Sequence, residues 1–390
     1  MSATPNILWI ITTQWRAQSL GCMGDVDACT PNLDGLASVG TLYQQAITPH
    51  PFGPFARAAL LTGVPSPSNG VRDYHDPLPR TSRTIAHTLN EAGYATAFFG
   101  KWHLSTRDHN APLVGEAHAR QRVALEDRGG FTHWEGFEGG FLLNNPWLQG
   151  PGDVPPYRTS GYQSDVLCAR LAAWLDTASQ SRQPWFAMLS LEAPHPPYAE
   201  TAAGVLHPAP SSLHLRPNVP LGALVEREAR RELSGYLAHI QATDRAIGRL
   251  LHHPALRHAA LAFSSVHGDM HGSHGLFRKG WPHEESIRVP LIIRHPEMDR
   301  RTSGPCAELF GLIDLHAWTR HWARLAPTPL PPVFQTCSMP SIVALPKQCD
   351  RTWTARRDTR SKEVLTPEGK TWLRYDLATD PFELRNLAAE

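Results

Sequence analysis

Residues 266–274 hold His267, Asp269, His271 and His274 within nine positions. Imidazole and carboxylate groups at that density could gather a borderline cation such as Zn²⁺. Thr12 and Thr13 add hydroxyls, and with His267 as base either could serve as an attacking group. Histidine is abundant, 21 of 390 residues, and His195, His267, His271, His274 and His283 fall in loop-like contexts that suit an anion or metal site. A second candidate is the segment 53–63, GPFARAALLTG. It opens a helical pattern, so Gly53 lies where unpaired backbone N–H groups can face an anion.

Such groups need a frame. Residues 7–12 read as a short apolar strand, and residues 30–40 as a helix capped by Thr30 with Pro31 at its first position. Residues 84–93 form a second amphipathic helix, and 96–99 a strand that ends at GKWHL. Residues 186–191 are a buried strand followed by EAPHPPY, and 261–265 a strand ending at VHGDMHGSHG. The longest helical pattern, 224–252, is closed by a histidine pair. Strands alternating with helices predict an α/β fold with a mainly parallel sheet covered by helices on both faces. Active groups in such sheets gather beyond the carboxyl ends of the strands, where all these loops fall. From about Pro327 a proline-rich connector begins, which divides the chain into a main domain, 1–326, and a small C-terminal subdomain, 327–390, with a strand or two.

The segment 53–63 resembles the sulfatase signature C/S-x-P-x-R-x-x-L-L-T-G, and further matches follow in order through nearly the whole chain. PNILWIITTQWRAQSLGCMG is similar to the family opening, GYATAFFGKWHL to its G-K-W-H-L block, and LEAPHPPY to its A-P-H-x-P loop. SSVHGDMHGSHGLFRKGWPHEESIRVPLII is similar to the late histidine-rich block, and the tail to Y-D-L-x-x-D-P-x-E-x-x-N-L-A. The D-Q-W-R type of opening is that of the cytoplasmic sulfatase, phosphonate monoester hydrolase and choline-sulfatase group. The resemblance implies an alkaline-phosphatase-like fold and descent from hydrolases of sulfate, phosphate or phosphonate esters. It also implies a divalent cation (Ca²⁺, Mg²⁺ or Mn²⁺) and a cysteine-derived or serine nucleophile.

Registered on that signature, Gly53 stands at the nucleophile position and Phe55 at the proline. Thr13, Gln14, Val266 and His267 stand at the ligand positions of the cation, with threonine and valine where the family has aspartates. Lys101, His103, His195 and Lys279 match catalytic positions, and Arg57, Lys101, His195 and Lys279 match those that face the sulfate. The resemblance thus implies a positive wall retained without nucleophile or carboxylates, and no cofactor is expected. Zn²⁺ bound by His267, Asp269, His271 and His274 is the alternative, as part of a divergent hydrolase or transferase with a rebuilt site.

A formal net charge of +1 with no basic block argues against nucleic acid as a partner. No stretch approaches the length that spans a bilayer, and the opening residues lack the basic start of a signal peptide. Six cysteines without C-x-x-C spacing fit reduced thiols and a cytoplasmic location. The expected partner is a small anionic metabolite, with a homo-oligomer or an active relative as a protein partner.

Overall fold

An apolar run without alternation must be covered on both faces; Ile7–Thr12 (β1), reading ILWIIT, is buried at all six positions. The computed structural model describes residues 4–222, 224–297 and 303–389. Around β1 it assembles Thr41–Ile47 (β2), Ala95–Lys101 (β3), His133–Phe137 (β4), Trp185–Ser190 (β5), Ala260–Ser265 (β6), Leu291–Arg294 (β7) and Gly304–Gly311 (β8). Their order is β8-β2-β7-β6-β1-β5-β3-β4. Within that order only β7 runs antiparallel to its neighbours, so the sheet is mainly parallel.

The helices that matter are Pro31–Ser38 (α1), Gly53–Thr62 (α2), Ile85–Glu91 (α3), Gln163–Ala178 (α4), Leu224–Leu251 (α5) and Leu315–Trp322 (α6). Side chains alternate across a strand, and the core divides accordingly. Trp9, Ile11, Phe186 and Met188 face α2, α3 and α6. Leu8, Ile10, Ala187 and Leu189 face α1, α4 and α5. Trp9 also donates its indole N–H to Thr319 Oγ1 on α6 at 2.9 Å, which satisfies the one polar atom it buries.

Helix ends follow local chemistry. Thr84 caps α3 in a reciprocal capping box with His87. The cap expected from Thr30 is absent because its hydroxyl is engaged elsewhere: it accepts from Gly21 N at 2.9 Å and donates to Asp34 Oδ1 at 3.0 Å. Gly235, in the middle of α5, has a packing role. A Cβ there would stand 1.8 Å from the carbonyl oxygen of Tyr198, so helix and loop meet backbone to backbone.

After the main sheet, Gln335–Met339 (β9), Trp353–Arg357 (β10), Ser361–Leu365 (β11) and Thr371–Asp376 (β12) form an antiparallel sheet in chain order. This C-terminal subdomain has four strands where the composition suggested one or two, since its short alternating runs read weakly. Buried charges fasten it to the main body. Arg357 on β10 donates to Glu284 Oε2 at 3.1 Å, and Lys362 on β11 lies 3.4 Å from Glu284 Oε1 and is ion-paired to Glu383.

Register places the chemistry. Thr12 is opposite Ser265, Ile11 opposite Ser190, and Gly100 opposite Ser190. Lys101 at the end of β3, and Thr13, Glu192 and His267 just beyond the other strand ends, therefore emerge at one edge of the sheet.

Candidate functional site

That edge opens into a cavity of about 980 Å³. Thr13, Gly53, Lys101, His103, His195, His267 and Lys279 all line it, so motifs far apart in the chain do converge. Arg57 lies just behind, buried on α2, with Nη2 donating to Thr13 Oγ1 at 2.7 Å.

Gly53 is the first residue of α2, and Phe52 before it is extended. A side chain there would meet occupied space: an added Cβ would lie 2.9 Å from His103 Nδ1 and 3.0 Å from Arg57 Nη1. Neither His103 Nδ1 nor Arg57 Nε has a hydrogen-bond partner among the described residues. Burial pushes the Arg57 guanidinium down to about 10, against the pull of Glu192 and Glu138.

Lys101 ends β3 and donates to Glu192 Oε1 at 2.6 Å, and its ammonium sits 4.3 Å from the centre of the Phe141 ring. Burial lowers its pKa to about 8. Lys279 donates to Gln14 Oε1 at 2.7 Å and to His195 Nε2 at 2.8 Å. Burial, and then the charge of Lys101, push it well below the usual lysine range.

The imidazole tautomers follow from their partners. His195 Nδ1 faces the Pro196 carbonyl at 2.8 Å and must carry the proton, which leaves Nε2 to accept from Lys279. His267 Nδ1 likewise faces the Gly268 carbonyl at 2.9 Å, so its unpartnered Nε2 presents a lone pair. Burial holds His103, His195 and His267 well below the normal histidine range, with Arg107 the main added charge on His103 and Lys279 on the other two. With the imidazoles neutral, the groups left to carry positive charge at the cavity are Arg57, Lys101 and Lys279, the last with its own pKa pushed down by burial.

Thr13 is not set up to attack. Its hydroxyl proton goes to the Leu191 carbonyl at 3.0 Å and its lone pair to Arg57. Thr12 donates to the Ser264 carbonyl at 3.1 Å, inside the sheet. Neither hydroxyl is hydrogen-bonded to His267.

The late loop does not close on one point. Asp269 lies behind the cavity, bonded by Gln14 Nε2 and the Tyr198 hydroxyl. Although burial would raise it, His271, Arg278 and those hydrogen bonds hold its carboxyl below the usual range. His271 Nε2 is 3.8 Å from Asp269 Oδ2 and packs against Tyr236, with ring centres 4.2 Å apart. His274 points elsewhere, 3.1 Å from Asn218 and stacked on His283. Among the described residues, the group of three His, Cys, Asp or Glu side chains whose ligand atoms all lie within 4.8 Å of one another is His274, Glu285 and Glu383. Arg216, Asn218 and Lys362 already engage those carboxylates.

The positions that the resemblance assigns to a divalent cation fit one poorly. Such ions take several oxygen ligands, with carboxylates to offset their charge. Thr13 Oγ1 and Gln14 Oε1 already accept from Arg57 and Lys279, and Val266 is buried in the apolar core. The His267 lone pair is the one free donor of the four.

The sequence did not single out several groups in and around the cavity. Phe141 stacks on His195 with ring centres 4.3 Å apart and planes within 6°. Tyr74 stands 3.4 Å from His103 Nε2, and Tyr198 adds a further aromatic wall. Arg107 is buried over the Tyr74 ring, with Glu138 3.7 Å away as its nearest partner. Burial raises Glu138 to about 8. Glu192 lies inside the quoted LEAPHPPY loop, so its place was readable; Arg107 and Phe141 come from segments with no motif.

A sulfatase family profile matches residues 5–316. The ulvan-active sulfatase of Formosa agariphila is 34% identical over 307 residues, which is 76% of this chain and 57% of that protein. This chain thus spans little more than half the length of that relative. The choline-sulfatase of Rhizobium meliloti is 27% identical over 459 residues, covering 98% of this chain and 82% of the other. In three dimensions the yidJ protein of Bacteroides fragilis superposes with a TM-score of 0.86 at 23% identity, covering 100% and 92% of the two chains, and shares the fold.

Proposed function

The chain belongs to the sulfatase family, and from that premise we propose that it binds a small anionic metabolite without cleaving sulfate esters by the family route. One observation carries this reading. At the position that the signature gives to the nucleophile there is no side chain, and the space for one is bounded by His103 and Arg57. The cations are meanwhile present, with Lys101 and Lys279 lining a cavity of about 980 Å³ and Arg57 just behind it on Thr13. Buried cations that face each other without enough carboxylates are costly, and an oxyanion relieves that cost.

The rebuilt-enzyme reading is less well supported, because the hydroxyl protons of Thr12 and Thr13 are held by carbonyl oxygens and not by His267. Six free thiols fit a cytoplasmic protein, and among the described residues no helix is long and apolar enough to cross a membrane.

Sulfate titration by calorimetry tests the proposal, with saturable one-to-one binding expected. Lys101→Met should weaken it by about 100-fold, the scale of a lost charge-assisted contact in a buried site. The pH dependence has a definite sign. The ammonium form of Lys101 attracts the anion, and its pKa is about 8. The Lys101 contribution to affinity should therefore hold below that pH and fall above it; an affinity unchanged up to pH 10 would exclude Lys101 as the anchor.

A further inference from the structure

Thr13 and Gln14 follow directly on β1, at the strand end where the family's cation would stand. Their oxygens already hold hydrogens from cationic side chains, Arg57 Nη2 on Thr13 Oγ1 and Lys279 Nζ on Gln14 Oε1, each at 2.7 Å. Both arrangements are fixed from behind. The Thr13 proton is given to Leu191, so only lone pairs can face Arg57. Gln14 Nε2 is given to Tyr198 and Asp269, so Oε1 must face Lys279. Turning the amide over would set N–H against N–H.

We infer that Arg57 and Lys279 take the place of the divalent cation, and that this is an oxyanion site that works without metal. The inference rests on the reading that the cavity binds an anion. It differs from loss alone, because it assigns the lost ion's work to named groups. Lys101 shares its charge with Glu192, whereas Arg57 and Lys279 form no ion pair among the described residues. With threonine and valine in place of carboxylates, the hydrogen bonds that those two cations make at that strand end go to the neutral oxygens of Thr13 and Gln14. His267 Nε2 completes the site as an acceptor, which suits an anion that carries one proton or a hydroxyl beside its charged group.

The test uses the whole chain and inorganic sulfate, titrated in EDTA and again with millimolar Ca²⁺, Mg²⁺ or Mn²⁺. The expected result is the same affinity within about twofold in every case. Lys279→Gln should weaken sulfate by about tenfold or more whether or not metal is added. The double variant Thr13→Asp with Val266→Asp should bind one divalent cation by calorimetry, and its sulfate affinity should then depend on that cation. Sulfate binding by the natural protein that EDTA weakens tenfold, or that Lys279→Gln leaves intact when metal is present, overturns the metal-free assignment while leaving the anion site standing. Absence of sulfate binding under all conditions removes the anion site itself. Should the double variant fail to fold, the EDTA comparison and Lys279→Gln decide the matter.

Discussion

The natural protein is expected to release sulfate from an aryl sulfate no faster than buffer does. In-line displacement needs an attacking atom and a means of spreading charge over the departing oxygens. Gly53 supplies no atom, and the two threonine hydroxyls nearby direct their protons into the backbone. Enzymes of this kind accelerate hydrolysis by at least about a millionfold, so the contrast with an active relative is large. Restoring a nucleophile alone should not rescue activity. In Gly53→Ser or Gly53→Cys the new Cβ would approach His103 Nδ1 at 2.9 Å and Arg57 Nη1 at 3.0 Å, so the imidazole must shift and the guanidinium must give slightly. Chromogenic sulfate, phosphodiester and phosphonate assays measure this. Turnover above background that vanishes in His267→Ala would instead favour water activated by the free imidazole lone pair, and the binding reading would fall.

The second large effect concerns stability. Lys362→Met should lower the unfolding free energy by about 3–5 kcal/mol, the cost of breaking one side of a buried ion pair. Lys362 is buried against two carboxylates, Glu284 and Glu383, and it also donates to the Pro282 carbonyl at 2.6 Å. Arg357 would still hold Glu284, but Glu383 would lose its cation. The pH dependence follows from the direction of the Glu383 shift. Burial raises its pKa to about 7 in the folded protein, so the folded state favours the protonated acid. Its contribution is present at low pH and lost as pH rises through about 7. Removing the lysine should therefore hurt most above pH 7 and least near pH 5. Denaturant melts across that range read it directly; a deficit below about 1 kcal/mol at every pH would mean that the clamp is dispensable.

How much of this was legible in the sequence differs by level. β1 was readable to the residue, because a run such as ILWIIT has no amphipathic alternative. The ends of β3, β5 and β6 were readable within two residues, since glycine, proline and histidine loops follow them directly. β2, β4, β7, β8 and α4 were not singled out; their mixed composition takes its meaning from neighbours, as when β7 enters the sheet antiparallel between β2 and β6.

At the site, ordered motifs anticipated that Arg57, Lys101, His103, His195, His267 and Lys279 would meet. They could not anticipate which proton each group holds. That Thr13 gives its proton to Leu191, that Gln14 turns its oxygen to Lys279, and that His274 leaves the other late-loop groups are facts of three-dimensional neighbours. Arg107 escaped notice because an arginine in an unmarked loop reads as solvated, whereas here the fold buries it.

The contact at Gly235 constrains what this chain can become. Since α5 abuts the Tyr198 main chain with no room for a methyl group, the wall carrying His195 and Tyr198 inherits the stiffness of a 28-residue helix. Leu113, Val114 and Phe141 line the cavity from loops that meet each other at Gly115 and Gly140 and are not backed by that helix contact. Adaptation to new ligands should accordingly be lopsided: descendants will diverge in the shape they accept along the loop side, while the helix-backed side stays as it is.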